Sequence, residues 1–288
     1  MTNSLPIKTI LIGVGSMGQN HLRTINQNTN FELVAIVDKQ YAQDKQPTQD
    51  KPSETSPSIV TTGNIKDLDS LDYQCAFIAT PTSTHFALAK ELLIKGKHLF
   101  IEKPVTTTYE EGCELDALAK EKNLTIRVGH IERCNPVVRK LKNVIEGGWI
   151  GQPIHFTTTR VGGCPKEIND GNNVLLDLAV HDLDILATMI GSLNIHSSIC
   201  HSSLRKGVYD TAEIVVTNES GVSGSVHVNW ITPTKIRTIR VTGTKGVCTA
   251  DYIKQTCTLY GGDLLTDVNP DNFNFEQLRM AYQNSDRV

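Results

Sequence analysis

Gly13-Val14-Gly15-Ser16-Met17-Gly18 has the spacing of a backbone turn that can receive an anion. Glycine at the first position permits a tight turn, and at the third it removes the side chain that would block a pyrophosphate. At the sixth it lets a helix pack close to a strand. The helix opened by this turn would point unpaired N–H groups at the anion, which places Ser16 and Met17 beside it too. Asp38 stands 20 residues past Gly18. A carboxylate there can accept hydrogen bonds from ribose hydroxyls and repel a 2′-phosphate, which favours NAD over NADP. Lys39 next to it softens that repulsion. On these residues alone, S-adenosylmethionine is an alternative ligand, and Asp38 could be an ordinary acid ending a strand.

Two further clusters carry reactive side chains. Glu102-Lys103-Pro104 closes the run HLFIEK, at the strand end where open α/β sheets bind their ligands. A lysine there can approach substrate and nicotinamide; the plain alternative is a solvated strand-end lysine. In NVLLDLAVHDLDILATMIG, a turn of about 100° per residue puts Asp177, His181, Asp184 and Thr188 in one stripe. Asp182 lies off to one side of it. A helix apolar on nearly every other side is buried, so its polar stripe needs a hydrogen-bonded network or a cleft. Asp177 and His181, four residues apart, can pair and orient the imidazole. No third ligand stands at metal spacing, so no metal is expected.

These groups need a scaffold. KTILIGV (8–14), ELVAIVD (32–38), CAFIAT (75–80) and HLFIEK (98–103) read as short buried strands, with a helix over 84–97. Another helix (108–122) leads to a strand over 124–131. This alternation predicts a doubly wound parallel sheet of Rossmann type. After helices at 136–147 and 174–190, five strands follow without helices between them. That pattern predicts an α+β domain with a large, mostly antiparallel sheet. The expected division is 1–125 for the nucleotide-binding domain and 126–288 for the α+β domain. Residues 39–58 are polar with recurring prolines and read as a surface loop, or as a lid over the cofactor.

A chain of 288 residues suits two domains. The 28 basic against 31 acidic residues lack the basic footprint of a nucleic-acid binder. No apolar run approaches the roughly 18 residues of a membrane span, and glycines interrupt any signal-peptide core near the N-terminus. Seven scattered cysteines form neither a disulfide framework nor a zinc pattern. A cytoplasmic protein is expected.

The fingerprint GVGSMG, the segment ATPTSTH (79–85), the EKP of 102–104 and the D-x-x-x-H-x-x-D of 177–184 together resemble the glucose–fructose oxidoreductase/inositol dehydrogenase (Gfo/Idh/MocA) family. The resemblance runs from about residue 7 to 260. It implies NAD(P)-dependent oxidation or reduction of a sugar, cyclitol or nucleotide-sugar. It also implies a C-terminal sheet that builds a homodimer or homotetramer. Carried over residue by residue, Lys103, Asp177 and His181 match the family's lysine, aspartate and histidine. His181 is then the general base on a substrate hydroxyl, Lys103 stabilises the developing alkoxide, and Asp177 holds the imidazole in register. Thr80, Pro81, His85 and Glu102 are expected to line the cofactor.

Within the family, VGHIERCNPVV (128–138) and LLDLAVHDLDIL (175–186) resemble the branch that oxidises the third ring hydroxyl of UDP-N-acetylglucosamine. A partner aminotransferase would consume such a 3-keto product. Arg133, Arg139, Lys140, Lys142 and Arg160 are candidates to meet a diphosphate, and Arg160 is the strongest. For the 136–147 helix, a solvated basic face is the favoured reading. Asn135, Asn173 and Asp184 are further expected substrate contacts, and the loop 161–173 is expected to close on substrate. The competing readings are an inositol or free-sugar dehydrogenase of the same family and a non-catalytic NAD-binding sensor or subunit. The last 28 residues (261–288) fall short of the helical segments usual in the family, which suggests a shortened element or a truncated product.

Overall fold

The computed structural model describes residues 5–43, 59–165, 168 and 172–261. The chain divides into two compact units, Met1–Gly129 and His130–Val288.

The first unit alternates strand and helix. In chain order it holds β1 (Ile7–Ile12), α1 (Ser16–Gln27), β2 (Phe31–Val37), α2 (Lys39–Gln43) and β3 (Val60–Thr62). Then come β4 (Cys75–Ile78), α3 (His85–Ile94), β5 (His98–Ile101), α4 (Tyr109–Glu121) and β6 (Ile126–Val128). The strands form one sheet in the order β3-β2-β1-β4-β5-β6, parallel at every pairing. The order reverses at β1, so a crevice opens past the carboxyl ends of β1 and β4. Alternation along β1 feeds both faces: Ile10 and Ile12 join Leu92, Leu93 and Leu115 on one side, and Leu11 joins Ile25 of α1 on the other. A capping box starts α4, with Thr108 accepting from the Glu111 N–H and the Glu111 side chain accepting in return. Pairing of β6 with β5 extends this unit to Gly129 rather than to residue 125. The stretch expected as a surface loop or lid begins with α2, and its residues 44–58 lie outside the described residues.

In the second unit, α5 (Pro136–Glu146) and β7 (Pro153–Val161) precede a π-helical turn, Leu175–Ala179, that runs into α6 (Val180–Ile190). Six strands follow: β8 (Asn194–His201), β9 (Thr211–Thr217), β10 (Ser223–Asn229), β11 (Ile236–Gly243), β12 (Gly246–Asp251) and β13 (Thr256–Gly261). The sheet order is β13-β12-β11-β7-β10-β9-β8, and β7 with β10 is its parallel pair. β12 occupies a stretch that the sequence pattern reads as a turn. One face packs on the helices: Leu141 and Val144 of α5 and Ile185 and Leu186 of α6 are buried with Phe156, Val226, Trp230 and Val241. The other face leaves Thr157, Glu213, Val215 and Arg240 exposed. Among the described residues, no helix is long and apolar enough to cross a membrane.

Candidate active site

The glycine turn lies between β1 and α1. Gly13 has φ +87°, and a Cβ there would sit 2.6 Å from the Ala79 carbonyl oxygen. A Cβ on Gly18 would lie 2.1 Å from the Gly13 carbonyl oxygen, so helix and turn touch through backbone alone. Gly15 differs, because a Cβ there meets nothing within 4 Å. The first and sixth glycines therefore serve the fold, and the third leaves open space before the helix. α1 begins there at Ser16 with no side-chain cap and no acid in its first turn. Its leading N–H groups suit an anion. Asp38, past the end of β2, accepts the Val14 N–H at 2.8 Å and the Gln40 N–H at 2.9 Å. A carboxylate placed there can accept from ribose hydroxyls. Open space over Gly15, an uncapped helix start and an adjacent carboxylate fit the pyrophosphate and ribose of a dinucleotide.

Glu102, Lys103 and Pro104 follow β5. Lys103 is half-buried. Glu102 is 6% exposed, and its Oε1 lies 2.6 Å from His21 Nε2 on α1. A Cβ on Gly129 would come within 3.0–3.1 Å of that carboxyl group, so glycine there makes room for it. His85 is 1% exposed, with Nδ1 2.9 Å from the Pro104 carbonyl oxygen and Nε2 2.8 Å from that of Thr80. Both side chains were expected to face a cofactor; the structure turns both into the protein. Thr80 pairs its hydroxyl with that of Thr84 at 2.7 Å, and exposed Pro81 opens the short 3₁₀ turn Thr82–Thr84.

In the second unit, the Val180 N–H reaches back to the Leu175 carbonyl. This five-residue step is looser than an α-turn and changes the phase on which the expected stripe rests. Asp177, inside the π-turn, accepts the indole N–H of buried Trp230 at 3.0 Å. His181 is half-buried on α6. Asp184 receives Arg133 in a bidentate pair, with Nε to Oδ2 at 2.8 Å, and His130 Nε2 stands 3.6 Å away. Asn135 caps α5 by accepting the Val137 N–H at 3.1 Å. Asn173 accepts the N–H groups of Leu175 and Leu176 at 3.0 and 3.1 Å, capping the helical segment that starts at Leu175.

Arg160 departs furthest from expectation. It is an inward residue of β7, 4% exposed, and its Nε donates to Asp182 Oδ2 at 2.7 Å. Its Nη1 donates to Glu132 at 2.9 Å, and the guanidinium lies 5.1 Å from the Tyr252 ring centroid. Burial pulls the Arg160 pKa down, but Asp182 and Glu132 outweigh it and hold it above the ordinary arginine value. A guanidinium committed to two carboxylates is not available to a substrate diphosphate, which corrects the sequence-based assignment. Asp184, Asn135 and Asn173, likewise expected at substrate, make the structural contacts above.

Sequence reasoning missed His21, Glu132 and Asp182. His21 lies on α1 three residues past Gly18, and a histidine one turn beyond the fingerprint was a readable signal. Asp182, an acid in an apolar helix, called for a buried partner. Among the described residues, no group of three or more His, Cys, Asp or Glu is placed to hold a metal ion.

A model of an oxidoreductase family with an NAD-binding Rossmann fold, Gfo/Idh/MocA, matches residues 7–130. A model of that family's C-terminal domain matches residues 138–249. The chain is 25% identical to the UDP-N-acetylglucosamine 3-dehydrogenase of Acidithiobacillus ferrooxidans, over 88% of this chain and 77% of that protein. It is 27% identical to the scyllo-inositol 2-dehydrogenase (NAD(+)) of Bacillus subtilis, over 79% of this chain and 68% of that protein. Its fold resembles the WlbA dehydrogenase from Bordetella pertussis, solved in complex with NADH and UDP-GlcNAcA, with a TM-score of 0.75 and 23% identity over 85% of this chain and 79% of that one. The chain belongs to the Gfo/Idh/MocA family of oxidoreductases, and its first unit is the family's NAD-binding Rossmann fold.

Proposed function

We propose that this protein oxidises a ring hydroxyl of a nucleotide-sugar, converting UDP-N-acetylglucosamine to its 3-keto form. The observation that carries the reading is the open cradle over Gly15 at the uncapped start of α1, in a chain that also holds Lys103, Asp177 and His181. Gly13, Gly15, Ser16, Met17 and Gly18 would hold the pyrophosphate of NAD, Asp38 its ribose, and Thr80 and Pro81 border it. Bound NAD supplies the acceptor for the hydride.

The remaining chemistry falls to side chains. His181 would take the proton of the substrate hydroxyl as general base. Asp177, itself held by Trp230, keeps the imidazole in register. The Lys103 ammonium would stabilise a developing alkoxide, an electrostatic contribution of the oxyanion-hole kind. The similarity to a UDP-N-acetylglucosamine 3-dehydrogenase supports the choice of substrate. The open face of the second sheet supports assembly as a homodimer or homotetramer. A 3-keto sugar suits an aminotransferase as the next enzyme.

A second reading, oxidation of an inositol, is favoured by the likeness to a scyllo-inositol 2-dehydrogenase. NADH formation followed at 340 nm with UDP-N-acetylglucosamine, free N-acetylglucosamine and scyllo- and myo-inositol separates the two. Turnover confined to the UDP-sugar supports the first reading. Turnover confined to an inositol establishes the second, and none with any supports a non-catalytic NAD-binding role.

A further inference from the structure

Lys103 is flanked by two residues, each gripped by a histidine from a different helix. On its N-terminal side, the nearly buried carboxylate of Glu102 meets His21 Nε2 at 2.6 Å and also accepts the Lys103 N–H at 3.3 Å. The His21 ring packs against Phe100 and Phe77, with centroids 5.1 and 5.8 Å apart, which fixes its plane. On the C-terminal side, the Pro104 carbonyl oxygen lies 2.9 Å from His85 Nδ1. The same buried ring reaches the Thr80 carbonyl oxygen at 2.8 Å through Nε2.

We infer that His21 and His85 are positioning residues that clamp the backbone on both sides of Lys103, with His85 set between the turns after β4 and β5. The inference rests on the proposed role of Lys103. A lysine reaches its target on a long flexible stem, so the placement of its ammonium depends on a fixed Cα. Neither histidine needs to touch substrate or cofactor. A misplacement of about 1 Å at a reacting group can cost on the order of 10²-fold in rate.

His21→Leu and His85→Leu should each lower kcat by roughly 10–100-fold, with KM and the Kd for NADH within about threefold of wild type. His21→Gln, whose amide can still donate to Glu102, should recover most of the loss. Folded His21→Leu and His85→Leu proteins with wild-type kcat overturn the clamp. Should either leucine variant fail to fold, His21→Asn and His85→Asn, whose shorter side chains cannot span the same contacts, take its place under the same reading. Lys103→Ala separates the two ideas. Full activity in that variant defeats the role of Lys103, whereas a dead Lys103→Ala beside fully active histidine variants defeats the clamp alone.

Discussion

Asp182 Oδ2 accepts a hydrogen bond from Arg160 Nε at 2.7 Å, between side chains that are 1% and 5% exposed. Asp182 directly follows His181, and Arg160 is fixed in the central strand β7 of its sheet. The pair therefore sets how α6 is rotated against the sheet and which way its histidine looks.

Removing one partner should hurt the fold more than removing both. Arg160→Met leaves a buried carboxylate without its cation, at a cost of about 3–5 kcal/mol. That corresponds to a fall of roughly 6–20 °C in Tm for a domain of this size. The double variant Arg160→Met with Asp182→Leu should recover a large part of that loss in thermal scanning. Losses that simply add would show that the two side chains are not coupled.

Gly15 and Gly18 should answer alanine substitution in opposite ways. At Gly15 a Cβ enters open space, so Tm should change little while NADH binding, followed by its fluorescence, weakens at least tenfold. At Gly18 the Cβ meets the Gly13 backbone, so Gly18→Ala should lower Tm itself. Equal effects of the two substitutions on Tm would contradict this division.

Asp38→Ala should weaken NADH binding by about 1.5–3 kcal/mol, the range for hydrogen bonds to a charged group. It should narrow the preference for NADH over NADPH, because the charge that repels a 2′-phosphate is gone. Tighter binding of NADPH than NADH by the wild type would refute the assignment.

The cysteines should alkylate in a set order. Burial pushes the Cys75 thiol up to about 11. Burial, followed by contact with Cys257, pushes Cys248 up to about 12. A raised thiol pKa keeps the group protonated and unreactive until pH rises towards that value, because the thiolate is the nucleophile. Exposed Cys113, Cys134 and Cys164 should therefore take iodoacetamide first at pH 8, and Cys75 and Cys248 last, as read by peptide mass spectrometry. Labelling of Cys248 as fast as Cys113 would contradict its buried, protonated state.

The glycine turn and Asp38 were legible because backbone geometry leaves a spacing in the sequence: only glycine tolerates the contacts at Gly13 and Gly18. The parallel sheet was legible for a similar reason, since short β-branched runs alternate with helical periodicity. The Arg160–Asp182 pair was not legible. It joins β7 to α6 across 22 residues, and nothing local says which acid of α6 turns inward. The π-turn at Leu175–Ala179 shifts the helix phase ahead of α6, so a projection at constant pitch misplaces Asp177 relative to His181. His85 misled for another reason. Its place in ATPTSTH suggested a ligand contact, but packing gave both ring nitrogens to carbonyls within the unit.

Transfer of deuterium from UDP-N-acetylglucosamine labelled at C3 to NAD, read by mass spectrometry of the reduced cofactor, tests the proposed reaction most directly. If the proposed chemistry is right, the NADH formed is one mass unit heavier and His181→Ala lowers its rate by about 10²–10⁴-fold. Unlabelled NADH from the deuterated sugar, or full turnover by His181→Ala, would contradict it.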